Sequence, residues 1–451
     1  MGVLAVYGVP DASTFLYYGL HNLQHRGQEG GGIATFDEKG ESHRYRGLGL
    51  LNEVFNNGQV GKLKGRLGIG CVKYANASRS GLDNVGPFFF RHHSGDFCVA
   101  SDGNLVNSKQ IAEYLEKRGT IFQTDTDAEL LAHLIKKSAN EDRIVNIVKA
   151  LNMMEGGYTF VIMTKNRIYA ARDKYGIKPL CIGRIGDGYV VSSESCAFGI
   201  MGAEFVRDVR PGEIISLDHH GIRSTVFSKY CKHRMCGMEY IYFARPDSDI
   251  DGCNVHAYRK EAGRRLCREN PVEADIVVGV PESSLSAAMG YAEESGIPYE
   301  MGLVKHKYVG RTFIEPVQSM RELGVKMKLS PVYSIVNGKR IILVDDSIVR
   351  GTTCLKIVRL LREAGATEVH VRIASPMMKY TCHYGVDTST PEELLCSHRT
   401  LEEARQAIGA DSLGYLSPES TRASAFGCAD PCQACFTGEY PTLLYDQEID
   451  E

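Results

Sequence analysis

The sequence carries almost no imbalance of charge: 52 Lys and Arg stand against 55 Asp and Glu, a formal net charge of −3. Such a chain has no general attraction for nucleic acid or for an anionic membrane surface. No apolar run approaches the roughly 20 residues that a membrane-spanning helix needs. The first twenty residues lack a basic region followed by an apolar block and a cleavage site. The expectation is a soluble, cytoplasmic protein without nucleic-acid or membrane partners. Internal repeats, low-complexity tracts and long charged blocks are also missing. In the cytoplasm, 14 cysteines are not expected to form a disulfide set; some should be metal ligands and others small buried hydrophobes. What the chain does have is length and glycine. Its 451 residues allow two or three well-filled domains, and its 47 glycines indicate many tight turns.

From Met1 to about Asp218, short β-type runs alternate with Gly and Asp turns, for example Tyr158 to Met163, Arg167 to Ala171 and Gly188 to Ser192. Helical stretches intervene near Thr14–Leu23, Ser108–Arg118 and Asp127–Lys137. This pattern predicts an α/β-layered first domain with mainly antiparallel sheets. From about Met238 the rhythm changes to strands followed by helices, which implies a mostly parallel sheet with ligands at the strand C-termini. The boundary falls near residues 218–238, giving domains 1–230 and 231–451.

The most informative stretch lies in the second domain. Arg340 to Val344 reads as a buried apolar strand that stops at Asp345 and Asp346. Cys354 to Ala364 reads as a helix, with Ile357, Leu360, Leu361 and Ala364 at helical spacing and Gly365 as its stop. Glu368 to Ile373 completes a βαβ unit. The turn Ser347-Ile348-Val349-Arg350-Gly351-Thr352-Thr353 therefore sits at a helix N-terminus, where free N–H groups favour an anion. Gly351 permits close approach to a phosphate, and the two Asp suit sugar hydroxyls or a divalent cation. The run resembles the phosphoribosyl-pyrophosphate (PRPP) signature of type I phosphoribosyltransferases. A second strand, Asp275 to Val280, opens into Pro281-Glu282-Ser283-Ser284. Alone this loop reads as a helix cap; beside the first, it reads as a pyrophosphate or metal loop. Between them lies a basic, poorly periodic segment in which Lys305, Arg311, Lys326 and Lys328 are the cations expected to close over a departing pyrophosphate.

Met238 to Ser248, the Val-Pro-Glu-Ser-Ser loop, Tyr308 to Ile314 and the 344–353 run occur in the order seen in one family. The chain resembles the glutamine phosphoribosylpyrophosphate amidotransferases over essentially its whole length. One departure is Glu282, where the family usually has Asp. The resemblance implies that Asp345, Asp346 and Ser283 hold catalytic Mg²⁺ and that Ser347 to Thr353 bind the phosphate and ribose of PRPP. It also implies a homotetramer and purine nucleotides as feedback ligands.

Cys432-Gln433-Ala434-Cys435, with Cys428 just upstream, has a spacing that suits zinc, a redox pair or an iron–sulfur cluster. A metal needs two further ligands, and Cys236 and Cys382 are candidates. The resemblance selects Cys236, Cys382, Cys432 and Cys435, which match the [4Fe–4S] ligands of some bacterial members.

The segments Tyr17 to Ile33, Gly156 to Tyr158 and Asp173 to Leu180 also resemble the family's glutaminase half. The resemblance implies an N-terminal nucleophile hydrolase-type αββα sandwich, followed by a type I phosphoribosyltransferase domain. That chemistry needs a cysteine whose own α-amino group acts as base, and the family's mature chain begins Cys-Gly-Val. Here Met1-Gly2-Val3 stands instead, and a thioether cannot attack an amide. Lys73 replaces an arginine that makes a forked contact with the glutamine carboxylate. Asp102 replaces the first asparagine of the oxyanion segment. Losing one such donor typically costs ~10²–10³ in rate. The expectation is a Mg²⁺-dependent phosphoribosyltransferase that forms 5-phosphoribosylamine from PRPP and ammonia, with no glutaminase activity. The alternatives are a non-catalytic PRPP- or nucleotide-binding partner of an intact amidotransferase and a transferase for another amine.

Overall fold

The computed structural model describes residues 1–74, 81–93, 95–138, 140, 142–306, 329–386, 388, 390–428 and 430–445. The first half is built on two antiparallel sheets of seven and six strands. On strand Gly2–Tyr7, Val3 and Ala5 face one apolar cluster while Leu4 and Val6 face another. Strand Gly156–Thr164 behaves in the same way, with Val161 and Met163 on one side and Phe160 and Ile162 on the other. Strands buried on both faces read as continuous apolar runs, which is why the sequence announces them so clearly. The shared cluster lies between the sheets. Helices Ala12–Asn22 and Cys196–Met201 contribute to the outer cluster of the seven-stranded sheet, and Ser108–Glu116, Asp127–Lys137 and Arg143–Met153 to that of the six-stranded one. This is the expected four-layer arrangement.

The second half carries a four-stranded parallel sheet in the order Ile276–Gly279, Arg340–Asp345, Glu368–Ile373, Ser412–Tyr415. Helices Val255–Glu269 and Leu285–Ser295 pack on one face through Leu266, Ala288 and Tyr291. Helices Thr352–Glu363 and Leu401–Ile408 pack on the other through Ile357, Leu361 and Ala404. The first pair cross in close contact: a Cβ at Gly263 would strike the carbonyl of Ala287, and one at Gly290 that of Lys260. The expected parallel sheet and its βαβ unit are both present.

The halves meet through buried ion pairs. Arg172, with no exposed surface, donates two bonds to Asp251 at 2.7 and 2.8 Å and three more to the carbonyls of Gly176, Lys178 and Val209. Arg26 reaches Glu239 at 2.7 and 2.8 Å, across 213 residues of sequence. Glu239 opens a single π-helical turn, Glu239–Phe243. No described helix is long and apolar enough to cross a membrane.

Candidate functional sites

Strands Ile276–Gly279 and Arg340–Asp345 are parallel neighbours, paired from Ile276 with Ile341 to Gly279 with Val344. Their C-terminal loops therefore leave the sheet side by side. The Ser283 hydroxyl donates to Asp346 at 2.6 Å, and Ser284 donates to Asp345 at 2.9 Å and to Asp346 at 3.3 Å. Ser347 donates to the other oxygen of Asp346 at 2.8 Å. The two carboxylates are buried, 8% and 7% exposed. Burial first, and then the charge of Asp346, push the Asp345 carboxyl well above its usual range. Two adjacent buried carboxylates and two hydroxyls form a donor set suited to a hard divalent cation, which would remove that repulsion.

Helix Thr352–Glu363 starts at Gly351, whose φ of 78° a side chain would strain. A Cβ there would also meet the side chain of Leu395. Within the expected ligand loop, the side chains of Ile348 and Val349 pack into apolar clusters and anchor it. Their main-chain groups, the Ser347 hydroxyl, and the exposed Thr352 and Thr353 are what a ligand can meet. Arg350 is bonded to Glu393 at 2.7 Å, and Val349 O accepts from Leu395 N at 2.8 Å. This brace from residues 393–395 went unforeseen, because nothing local in the sequence marks it. Glu282 is exposed, and so is Lys305, which ends a two-stranded ribbon paired with Leu329–Pro331. Arg311, Lys326 and Lys328 lie outside the described residues.

A second cavity in the first half is lined by Met1, Cys71, Lys73, Asn104 and Asp127, with Phe243 and Gly385 arriving from the second half. Gly103 also lines it, whereas Asp102 is not among the lining residues. Its buried carboxylate, expected to face the cavity, turns instead to Arg26 at 3.2 Å, the Met1 amino group at 3.5 Å and Lys178 at 3.9 Å. Burial would raise the Asp102 carboxyl, but these cations outweigh it and hold it at about 2. Arg26 and Lys178 also serve Glu239, and Arg26 serves Glu194 at 2.6 Å. Burial pushes the Cys71 thiol up to about 12, so it is protonated at neutral pH. Lys73 is buried beside it.

Cys236, Cys382, Cys432 and Cys435 line a third cavity with Met238, Tyr384, Val386 and Tyr440. Cys236 and Cys432 form a parallel β-bridge, with Cys432 N donating to Met235 O at 2.7 Å. Burial raises the thiols of Cys236, Cys432 and Cys435. Four thiols lining one apolar cavity form a donor set suited to a soft metal centre, zinc or an iron–sulfur cluster.

Known proteins share this arrangement. A glutamine amidotransferase domain matches residues 84–199, and a phosphoribosyl transferase domain matches residues 264–385. The amidophosphoribosyltransferase of Bacillus subtilis is 52% identical over 456 residues, covering 99% of this chain and 95% of that protein. The chain belongs to the amidophosphoribosyltransferase family. A Staphylococcus aureus amidophosphoribosyltransferase is 48% identical over 99% of the chain and 92% of its own length. The solved glutamine PRPP amidotransferase of B. subtilis, complexed with ADP and GMP, superposes with a TM-score of 0.94 at 51% identity, covering 100% of this chain and 99% of that one. A structure described as the allosteric regulatory enzyme of purine biosynthesis gives 0.95 at 51% identity, over 99% and 97%. The two-part architecture and the phosphoribosyltransferase activity of the amidophosphoribosyltransferase type are thereby shown.

Proposed function

We propose that this amidophosphoribosyltransferase forms 5-phosphoribosylamine and pyrophosphate from PRPP, taking its nitrogen from ammonia rather than from glutamine. The observation that carries the transferase half is the meeting of Ser283 and Ser284 with Asp345 and Asp346 at the ends of adjacent parallel strands. Asp345, Asp346 and Ser283 would hold Mg²⁺, which when bound would offset charge on the departing pyrophosphate. The amide groups of 347–353 and the hydroxyls of Thr352 and Thr353 bind the sugar phosphate at the helix N-terminus, and the carboxylates orient the ribose hydroxyls. The ammonia lone pair forms the new bond to the anomeric carbon as the carbon–oxygen bond to pyrophosphate breaks, and the attacking nitrogen gives up a proton to water. Lys305, Arg311, Lys326 and Lys328 close over the pyrophosphate.

For the first half, four features support loss of glutamine hydrolysis. Met1 offers no nucleophile, and Cys71 is a buried protonated thiol. Lys73 lacks the planar fork that grips a carboxylate. Asp102 accepts hydrogen bonds from Arg26 and donates none toward a developing oxyanion. We assign residues 1–230 and 231–451 to the two units, and the four-cysteine cavity to a structural [4Fe–4S] cluster that fastens the C-terminal segment. ADP and GMP on the B. subtilis relative support purine nucleotides as feedback ligands, on an oligomer of the family's kind.

Pyrophosphate release from PRPP and Mg²⁺ tests this reading. It is expected with ammonium at raised pH and absent with glutamine. Release with neither points to the non-catalytic, nucleotide-binding alternative, and release with another amine only to the specialised transferase. Equal release with glutamine overturns the account of the first half, as the names of the relatives would then apply in full.

A further inference from the structure

Of the 14 cysteines, Cys231 and Cys428 are the exposed ones among the described residues. Cys231 bonds within its own segment, its Sγ donating to the carbonyl of Ser228 at 3.3 Å. Cys428 reaches across 176 residues of sequence, and its Sγ donates to the carbonyl of Gly252 at 3.6 Å. The next residue after that carbonyl is Cys253.

Two pieces of local structure make this meeting. Strands Asp249–Ile250 and Cys253–Asn254 form a hairpin in which Cys253 pairs with Ile250. Its turn residues Asp251 and Gly252 have φ of 49° and 77°, the left-handed pair that closes a two-residue turn. Cys253 is 2% exposed and shares one apolar cluster with Ile250, Val255, Tyr258 and Ala425. The second piece is the turn after helix Pro418–Ala423. Thr421 O accepts from the Tyr258 hydroxyl at 3.1 Å, which docks that helix on helix Val255–Glu269. Cys428 N then donates to Ala425 O at 2.9 Å, and this turn delivers the thiol to the hairpin.

A trans peptide puts a carbonyl oxygen about 2.8 Å from the next Cα, so the Cys428 sulfur lies within roughly 6.5 Å of the Cys253 Cα. Disulfides join Cα atoms about 4.4–6.8 Å apart, so a small shift of the exposed turn brings the sulfurs into bonding range. Burial, and then the charge of Cys428 ahead of those of Asp249 and Asp251, push the Cys253 thiol up to about 12. The transferase reaction uses neither thiol.

We propose that Cys253 and Cys428 are a modification site, a dithiol that a hydroperoxide converts into a disulfide latch on the C-terminal segment. The exposed Cys428 thiolate attacks one peroxide oxygen. The oxygen–oxygen bond breaks, hydroxide leaves and takes up the proton the thiol gave to solvent, and Cys428 becomes a sulfenic acid. The Cys253 sulfur then attacks that sulfur. The sulfur–sulfur bond forms, the sulfur–oxygen bond breaks, and the departing hydroxide takes the Cys253 proton as water. With hydrogen peroxide, two thiols are oxidised, one peroxide is reduced and two waters form. Burial makes Cys253 the resolving thiol and not the attacking one. The new bond fastens the chain just ahead of Cys432 to the hairpin whose Asp251 is held by Arg172 of the first half.

Peptide mass spectrometry tests the pair on full-length chain treated with hydrogen peroxide, alkylated and digested without reductant. The parent and Cys231→Ser should yield a Cys253 peptide joined to a Cys428 peptide and split by dithiothreitol. Neither Cys428→Ser nor Cys253→Ala should yield it, and in Cys253→Ala dimedone should trap a sulfenic acid at Cys428. Cys428 is exposed, so its variant keeps the fold whatever Cys253→Ala does. Cleavage by proteinase K between Ala423 and Cys432 should slow about tenfold or more in the oxidised parent, as local opening is suppressed, and not in oxidised Cys428→Ser. Cys428 oxidised without Cys253 as its partner, or a linked parent cleaved as fast as the reduced one, would overturn the proposal.

Discussion

Asp345 and Asp346 share buried space at the end of strand Arg340–Asp345, and the hydroxyls of Ser283, Ser284 and Ser347 offset their mutual repulsion only in part. Asp345→Asn should therefore leave denaturant stability equal or higher while lowering pyrophosphate release by ~10²–10³. A stable variant with full activity would contradict the assigned role. Asp208 offers a pH test. Burial, and then Asp251, raise its carboxyl to about 7 against an ordinary 3.8. A folded value above the unfolded one means the folded state binds the extra proton. The contribution of Asp208 to stability is then full below about pH 4 and lost as pH rises toward 7. Asp208→Asn should accordingly raise stability at pH 8, by at most about 4 kcal/mol, and the difference should vanish below pH 4; urea denaturation across that range measures it. At this scale the sequence was most legible where chemistry is local. The strand ends singled out Asp345 and Asp346 as candidates, and with them Ser283 and Ser284, whose loop alone reads as a helix cap. The turn of Asp102 toward Arg26 and Lys178 was not legible, because its cause is charge brought in from 76 residues away in each direction.

Helix Thr352–Glu363 and the turn before it form one device, in which Gly351 sets the direction of the first free amides. Gly351→Ala places a side chain at a φ of 78° and against Leu395, which should cost ~1–2 kcal/mol. The KM for PRPP should rise more than kcat falls, as steady-state kinetics would show. The C-terminal segment is the other device. Cys435 O accepts from both Lys379 N and Tyr380 N at 3.0 Å, and Gln110 of the first half donates to Tyr445 O at 3.1 Å. Cys435→Ser should remove the visible absorption of a four-iron cluster and expose residues beyond 435 to limited proteolysis; intact absorption would exclude Cys435 as a ligand. The βαβ unit was readable because apolar runs and helical spacing are local signals. The π-helical turn Glu239–Phe243 and the brace at 393–395 were not, because both follow from tertiary contacts.

The halves of the molecule are held together by charge that neither half explains alone. Nothing in the sequence pairs Arg172 with Asp251 or Arg26 with Glu239, yet all four side chains are largely or fully buried. Arg172→Met leaves the Asp251 carboxylate buried with His233 as its remaining side-chain hydrogen-bond partner among the described residues and should destabilise the protein by about 3–5 kcal/mol, read by denaturation. The overall division into an antiparallel sandwich and a parallel sheet was legible from the change of rhythm near residue 238; the contacts that join them were not. The same join brings Phe243 and Gly385 to the cavity lined by Met1, Cys71 and Lys73. Which nitrogen reaches the sugar is the central question, and isotope competition answers it directly. The chain is supplied with PRPP, Mg²⁺, glutamine labelled with nitrogen-15 in its amide, and unlabelled ammonium, and the trapped phosphoribosylamine is weighed by mass spectrometry. The account predicts product carrying only unlabelled nitrogen. Product carrying the glutamine label would contradict it.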